Sequence, residues 1–172
     1  MRKLALLILF GTVGCGDGPS APAPVPPPVQ AAGVWRGSLR VTGGTGEACV
    51  GAAFQSAAGV AFDYTLTVQQ SGATLTGTSR SVATGIVCQL TGTAGTSGFV
   101  LTQSTCDAPE PRFFSCDTIF RDARPSTLTV NADISGNSAS GNYVETYNVF
   151  VSGTTTSLGT ASLNAQLSLT RQ

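Results

Sequence analysis

The strongest constraint on this chain is a two-residue period that recurs from Gly33 to its end. It is cleanest near the C-terminus, where Ala161, Leu163, Ala165, Leu167 and Leu169 alternate with Ser162, Asn164, Gln166, Ser168 and Thr170. Successive side chains of an extended strand point to opposite faces, so this segment has one apolar and one polar face. The same pattern puts Phe62, Tyr64, Leu66 and Val68 on one side, with Asp63, Thr65, Thr67 and Gln69 on the other. Gln70-Ser71-Gly72-Ala73 reads as a turn and Leu75 resumes the alternation, which makes a hairpin. Further strands are expected near 34–41, 86–92, 98–105, 126–134, 141–151 and 160–170, eight in all, and no segment has a convincing helical period.

Eight antiparallel strands joined by short turns share one apolar face, which a flat sheet would leave exposed. Closing the sheet on itself buries that face and removes the unpaired edges. The expected fold is therefore all-β, an eight-stranded antiparallel up-and-down barrel; a β-sandwich is the alternative. Gly77, Gly92 and Gly141 fall within strands, where glycine permits the coiling that a small barrel needs.

Gly33-Val34-Trp35 resembles the Gly-x-Trp at the start of the first strand of lipocalins and related calycin barrels. In those barrels an Arg or Lys at the end of the last strand lies across the tryptophan, and Arg171 stands at the matching place. The resemblance implies a lipocalin-like barrel over 33–172 with Trp35 and Arg171 as structural residues. Physical chemistry agrees, since a guanidinium over an indole face is worth about 0.5–2 kcal/mol, depending on desolvation.

Ahead of the barrel the chain opens Met1-Arg2-Lys3, runs apolar from Leu4 to Phe10, and continues Gly11-Thr12-Val13-Gly14-Cys15. A basic start, a short apolar stretch and small residues form an export signal, too short for the ~20 apolar residues of a membrane-spanning helix. Val13-Gly14-Cys15 resembles the lipobox of bacterial lipoproteins, with Thr12 where Leu is usual. The resemblance implies a signal peptide over 1–14, diacylglycerol on Cys15, and a cell-envelope address at the outer membrane, facing the periplasm or the surface. Ordinary signal cleavage is the competing reading. Residues 15–32 would then be the lipidated cysteine and a proline-rich tether, extended at ~3.1 Å per residue.

Cysteine usage fits export. Of five cysteines, Cys15 is the odd one, and acylation accounts for it. Cys49, Cys88, Cys106 and Cys116 read as two disulfides with three possible connectivities, of which Cys106–Cys116 with Cys49–Cys88 is the simplest. Metal binding would need Cys-x-x-Cys spacing or histidines, and the chain contains no His. Without Arg2 and Lys3 there are seven basic residues against nine acidic ones, a net charge of −2. No basic field exists to attract nucleic acid.

The absence of His excludes Ser-His-Asp and Cys-His nucleophiles, and no Gly-x-Ser-x-Gly elbow, phosphate loop or dinucleotide fingerprint occurs. The expectation is a non-enzyme without cofactor or metal. A small barrel either fills its interior with side chains or holds one small ligand. Tyr143, Glu145 and Tyr147 share the apolar face of one strand, so a carboxylate faces the interior. It must be satisfied there, by a bulge, by an ion pair with Arg36, Arg80 or Arg171, or by a ligand. The stretch from Cys106 to Arg124 mixes Phe113 and Phe114 with acidic residues and arginines. It is expected to form a crossing loop that turns its aromatics inward to plug one mouth, with internal salt bridges favoured over Ca²⁺. Two functions follow: a tethered barrel holding a small apolar ligand, lined by Tyr64, Phe113, Phe114, Tyr143, Glu145 and Tyr147, or a filled barrel acting as an envelope interaction protein. Replacement Cys15→Ser is expected to abolish incorporation of labelled palmitate and to move the protein from the membrane to the soluble fraction.

Overall fold

The computed structural model describes residues 24–80, 85, 87–107, 112–116 and 119–172. Cys15 and the signal segment lie outside the described residues. Nine strands and one helix follow the chain: β1 (Gly33–Gly46), α1 (Ala48–Ser56), β2 (Ala61–Ser71), β3 (Thr74–Arg80), β4 (Val87–Ala94), β5 (Gly98–Cys106), β6 (Arg112–Cys116), β7 (Ile119–Ser135), β8 (Ser138–Val151) and β9 (Ser157–Arg171). All pairings are antiparallel, in the order β5-β4-β3-β2-β1-β9-β8-β7-β6, and β5 also pairs with β7. That last pairing closes an eight-stranded, lipocalin-like barrel and leaves β6 outside it.

Alternation decides which side chains enter the barrel. On β9, Ala161, Leu163, Ala165, Leu167 and Leu169 are all buried, as are Tyr64, Leu66 and Val68 on β2. Large inward residues sit opposite small ones: Tyr143 pairs with Ala165, and Tyr147 with Ala161. Strand approach is equally tight, because a Cβ on Gly141 would strike the backbone of Asn131 and Ala132 on β7.

At one end of the barrel, Trp35 is paired with Arg171 and is 0% exposed. The Arg171 guanidinium lies 4.5 Å from the centre of the indole ring, and the indole N–H donates to the Ala31 carbonyl at 2.8 Å. The preceding chain is strapped across this end. Val29 N–H donates to Gly95 O, Ala31 N–H to the Gln70 side chain, and the Gln70 amide to Val29 O. The folded body thus reaches back to Val29, a few residues into the expected tether.

The opposite end departs from the sequence expectations. A helix is present after all: Glu47 caps α1 by accepting from Cys49 N and Val50 N, and Val50 and Phe54, one turn apart, face the core. The helical period is hidden because these two residues are its only large apolar ones among Ala and Gly. Phe54 closes the mouth over Tyr147, ring centres 5.1 Å apart. Gly44 on β1 makes room for it, since a Cβ there would collide with Phe54.

The stretch expected to form a crossing plug is a β-hairpin in its described part. β6 pairs with the start of β7 outside the barrel. Only Phe114 turns inward, edge-on to Phe54 at 5.6 Å, whereas Phe113, Ile119 and Phe120 are 64%, 48% and 58% exposed. The reason lies at Pro125, where the β7–β8 register shifts between Pro125 and Thr127. Proline has no N–H to give a ladder and is tolerated at such a bulge. Beyond the shift, residues 129–133 of β7 pair with β5, while 119–123 pair with β6. One strand thereby serves two partners.

The disulfides are Cys88–Cys106 and Cys49–Cys116, not the simplest sequence pairing. Cys88 and Cys106 are direct neighbours across the β4–β5 ladder, with Cα atoms 4.0 Å apart. Cys49 on α1 faces Cys116 on β6 at a Cα separation of 5.9 Å. Among the described residues, the β7 region has the ion pairs Arg121–Glu47 at 3.3 Å and Arg124–Asp122 at 3.7 Å. Truncation of the central aromatic at the strapped end, Trp35→Ala, should lower stability by about 3–5 kcal/mol, measured by urea unfolding.

Candidate functional site

The barrel interior contains the one cluster of chemically distinctive side chains that the sequence singled out. Tyr143, Glu145 and Tyr147 alternate inward along β8 and are 0%, 1% and 0% exposed, and Tyr64 on β2 meets them from across the barrel. The Tyr143 hydroxyl donates to Glu145 Oε2 at 2.9 Å. The rings of Tyr64 and Tyr143 meet edge-on at 5.6 Å. The Tyr64 hydroxyl is hydrogen-bonded to the hydroxyl of Ser79 on β3, a buried polar residue that sequence reading missed. Serine there continues an ordinary strand alternation, so no sequence signal distinguishes it from a surface serine.

Glu145 is not turned inward by a bulge in β8. It pairs regularly with Leu128 on one side and Leu163 on the other. The arginines considered as its partners lie elsewhere: Arg36 is exposed on the outer face, Arg80 donates to Gly85 O at 2.6 Å, and Arg171 covers Trp35. A phenol hydroxyl donates to the carboxylate in a site where an unpartnered charge would be costly.

Burial also fixes the protonation of the phenols. Removal from water pushes the Tyr143 hydroxyl well above its ordinary value of 10, and the nearby Glu145 carboxylate raises it further. Burial raises Tyr64 in the same way, against a smaller opposing effect of the Ser79 hydrogen bond. Both phenols therefore stay protonated in the physiological range.

The cluster is tightly surrounded among the described residues: Tyr64 and Ser79 are 3% exposed and Glu145 1%. A side chain lining a chamber large enough for a water-sized probe would have measurable accessible area. Trp35, Leu39, Leu66, Leu75, Leu101, Leu128, Val130 and Leu167, together with Tyr143 and Tyr147, have none. Among the described residues, clefts occur on the outer surface. One of about 220 Å³ runs over the outer faces of β2 to β5, between Thr67, Thr78 and Gln89. Another, of about 120 Å³ and mostly apolar, lies beside α1 between Phe54, Phe62 and Phe114. Among the described residues no three His, Cys, Asp or Glu side chains are placed to hold a metal ion.

Of the residues expected to line a ligand, the structure thus brings Tyr64, Tyr143, Glu145 and Tyr147 together inside the barrel. Phe114 lies at the mouth beside Phe54, and Phe113 points to solvent. Sequence reading also missed Asp122, buried in the β7 hairpin and accepting from Gly153 N at 3.4 Å. The chain matches no protein-family profile, no curated protein and no solved structure.

The phenols supply a test of this cluster. Two of the three tyrosines have raised values, so the folded state holds protons that the unfolded chain releases near pH 10. Stability is therefore full below pH 10 and falls as pH rises above it. Absorbance at the phenolate band should stay low until the protein unfolds in alkali and then rise in one cooperative step.

Proposed function

We propose that this chain is a lipid-anchored protein of the cell envelope whose filled barrel is an interaction module that docks a protein partner on its α1 end. The address rests on the export signal and the lipobox-like Val13-Gly14-Cys15. Two disulfides suit an oxidising compartment outside the cytoplasm. A ligand carried inside the barrel, the other reading, would need space beside Tyr64, Tyr143, Glu145 and Tyr147, and these side chains are packed against their neighbours.

The observation that carries the interaction reading is the distribution of exposed apolar side chains. Seven large ones are exposed among the described residues, and five of them, Val60, Phe113, Ile119, Phe120 and Leu158, lie at the α1 end. Scattered single apolar residues are ordinary on a surface, whereas a cluster marks a contact. The same end holds β6, which has β7 as its one neighbour among the described strands. An open strand edge is a template for pairing with another chain. The tether enters the barrel at the other end, beside Trp35 and Gly95, so the apolar end is presented away from the anchor. That polarity favours a protein over the anchoring bilayer as the partner.

A photo-crosslinking residue placed at Phe113 in intact cells should give one discrete protein adduct, lost on Phe120→Asp, with no such adduct from Val100. Equal labelling from Phe113 and Val100, or adducts with lipid alone, would reject the proposal.

A further inference from the structure

A cleft of about 260 Å³ lies on the outer wall near the Trp35 end, where β4, β5 and β7 run side by side. Its origin is a gap in the outward row of side chains. Val100 on β5 stands between its ladder partners, Thr93 on β4 and Asn131 on β7, and is 42% exposed. The neighbouring outward position of β5 is Gly98, opposite Asp133. A Cβ there would strike the Ala132 carbonyl, so the close approach of β5 and β7 keeps that position free of a side chain. The Asp133 carboxylate leans over the space, with Oδ1 2.9 Å from where that Cβ would stand. Ser97, in the turn between β4 and β5, completes the wall. We infer that this cleft binds one pyranose ring of a neutral glycan, its hydroxyls on Asp133, Asn131, Thr93 and Ser97 and a C–H face against Val100.

The set of donors and acceptors is what selects the ligand. Thr93, Ser97, Asn131 and Asp133 are exposed, and among the described residues their side chains have no hydrogen-bond or ion-pair partner. A carboxylate only accepts, an amide donates and accepts, and a hydroxyl does either, which matches a ring whose hydroxyls are each donor and acceptor. Hydrogen bonds to a charged acceptor are the stronger ones, so Asp133 is the anchor. No basic side chain lines the cleft, so the same carboxylate repels an anionic sugar. One carboxylate is too few for a Ca²⁺ site, which collects six or more oxygens. The volume falls just below the ~300–1,000 Å³ of sites for drug-sized molecules and suits a single ring. Residues 87–107 and 119–135, which form the cleft, are all described. Its backbone is also held in place: Val29 N–H donates to Gly95 O, Gly95 N–H to Gly98 O and Ile134 N–H to Ser97 O, each at 2.8 Å. A site already in place loses little freedom when it is filled. The bond from Val29 puts the cleft beside the entry of the tether, so it shares no residue with the α1 surface proposed above.

Titration of the intact disulfide-bonded protein with the methyl glycosides of glucose, galactose and mannose, and with their uronates, tests the inference by NMR. At least one neutral glycoside should shift the Val100 methyl and Asn131 side-chain amide signals and bind about tenfold more tightly than its own uronate. Asp133→Asn, a change on an exposed side chain, should weaken that glycoside about tenfold and remove the discrimination against the uronate. Thr93→Val keeps the side-chain shape in a residue that strands favour, and should weaken binding severalfold at an unchanged melting temperature. No binding of any neutral glycoside at about 50 mM, a uronate bound as tightly as its glycoside, unchanged affinity in Asp133→Asn, or shifts confined to other residues would each overturn it. Methylguanidinium bound more tightly than every sugar would also overturn it, and would mark Asp133 as a seat for a basic side chain of a protein. A sugar held at Val100 is not a protein adduct, so the crosslinking contrast with Phe113 is read independently.

Discussion

The pairing of β5 with β7 is the contact on which the rest of the molecule depends. Each of the other barrel pairings joins strands that are consecutive in the chain, or joins the two ends of the domain through β1 and β9. The β5–β7 pairing has to step over β6, which comes between them in the chain. Without it the apolar faces of eight strands would form an open sheet with two long edges, exposed to water and to other chains. With it, they face one another across an interior that side chains can fill. Closure in turn requires β7 to change partner along its length. The register shift at Pro125–Thr127 makes this possible, sending one half of the strand into the barrel and the other out to β6.

Filling such an interior is a matter of volumes. Trp35, Tyr143 and Tyr147 are too large to face equally large neighbours, and alanines sit opposite the two tyrosines. The polar groups that accompany them are not a defect of the packing. Glu145 takes the Tyr143 hydroxyl as donor, and the Tyr64 hydroxyl is joined to Ser79. Hydrogen bonds of this kind recover little net stability, but an unmade one in this interior would cost more. They favour one register, because a slip by one residue would turn Glu145 outward and put Val144 or Thr146 in its place.

Much of this was legible in the sequence wherever one face of a strand is buried and the other is wet. β2, β8 and β9 meet that condition, and their inward residues, Glu145 included, follow directly from alternation. The Trp35–Arg171 contact was legible because the two residues stand at the first and last strands, which closure must bring together. Alternation fails for residues that serve the mouth and not the wall. Asp122 and Arg121 interrupt the start of β7 with charge, so a strand that leaves the barrel looks like a loop. The period of α1 rests on Val50 and Phe54 alone. Since Cys49 lies on that helix and Cys116 on that outer strand, their disulfide could not be anticipated before both elements were known. The phenol that donates to Glu145 was two residues away on the same face, but spacing alone does not say that it reaches the carboxylate.

The two ends of the barrel divide what the interior leaves undone. Chain ends and tight turns meet at the Trp35 end, where the strap accepts the indole N–H and the Arg171 guanidinium covers the indole ring. The α1 end is built from excursions instead: a helix inserted between β1 and β2, and a strand inserted between β5 and β7. Neither belongs to the barrel ladder, and the Cys49–Cys116 disulfide ties one to the other. A wall made of repeated hairpins does not need these insertions in order to close. Their apolar side chains are divided between a plug, through Phe54 and Phe114, and the solvent, through Phe113 and Phe120. Stability of the barrel explains the first pair and gives no reason for the second. Exposed phenylalanines raise the free energy of the isolated protein in water, and a surface that covers them lowers it again. The packed interior and the exposed apolar side chains of the α1 mouth both support the proposal that a partner is met at that end.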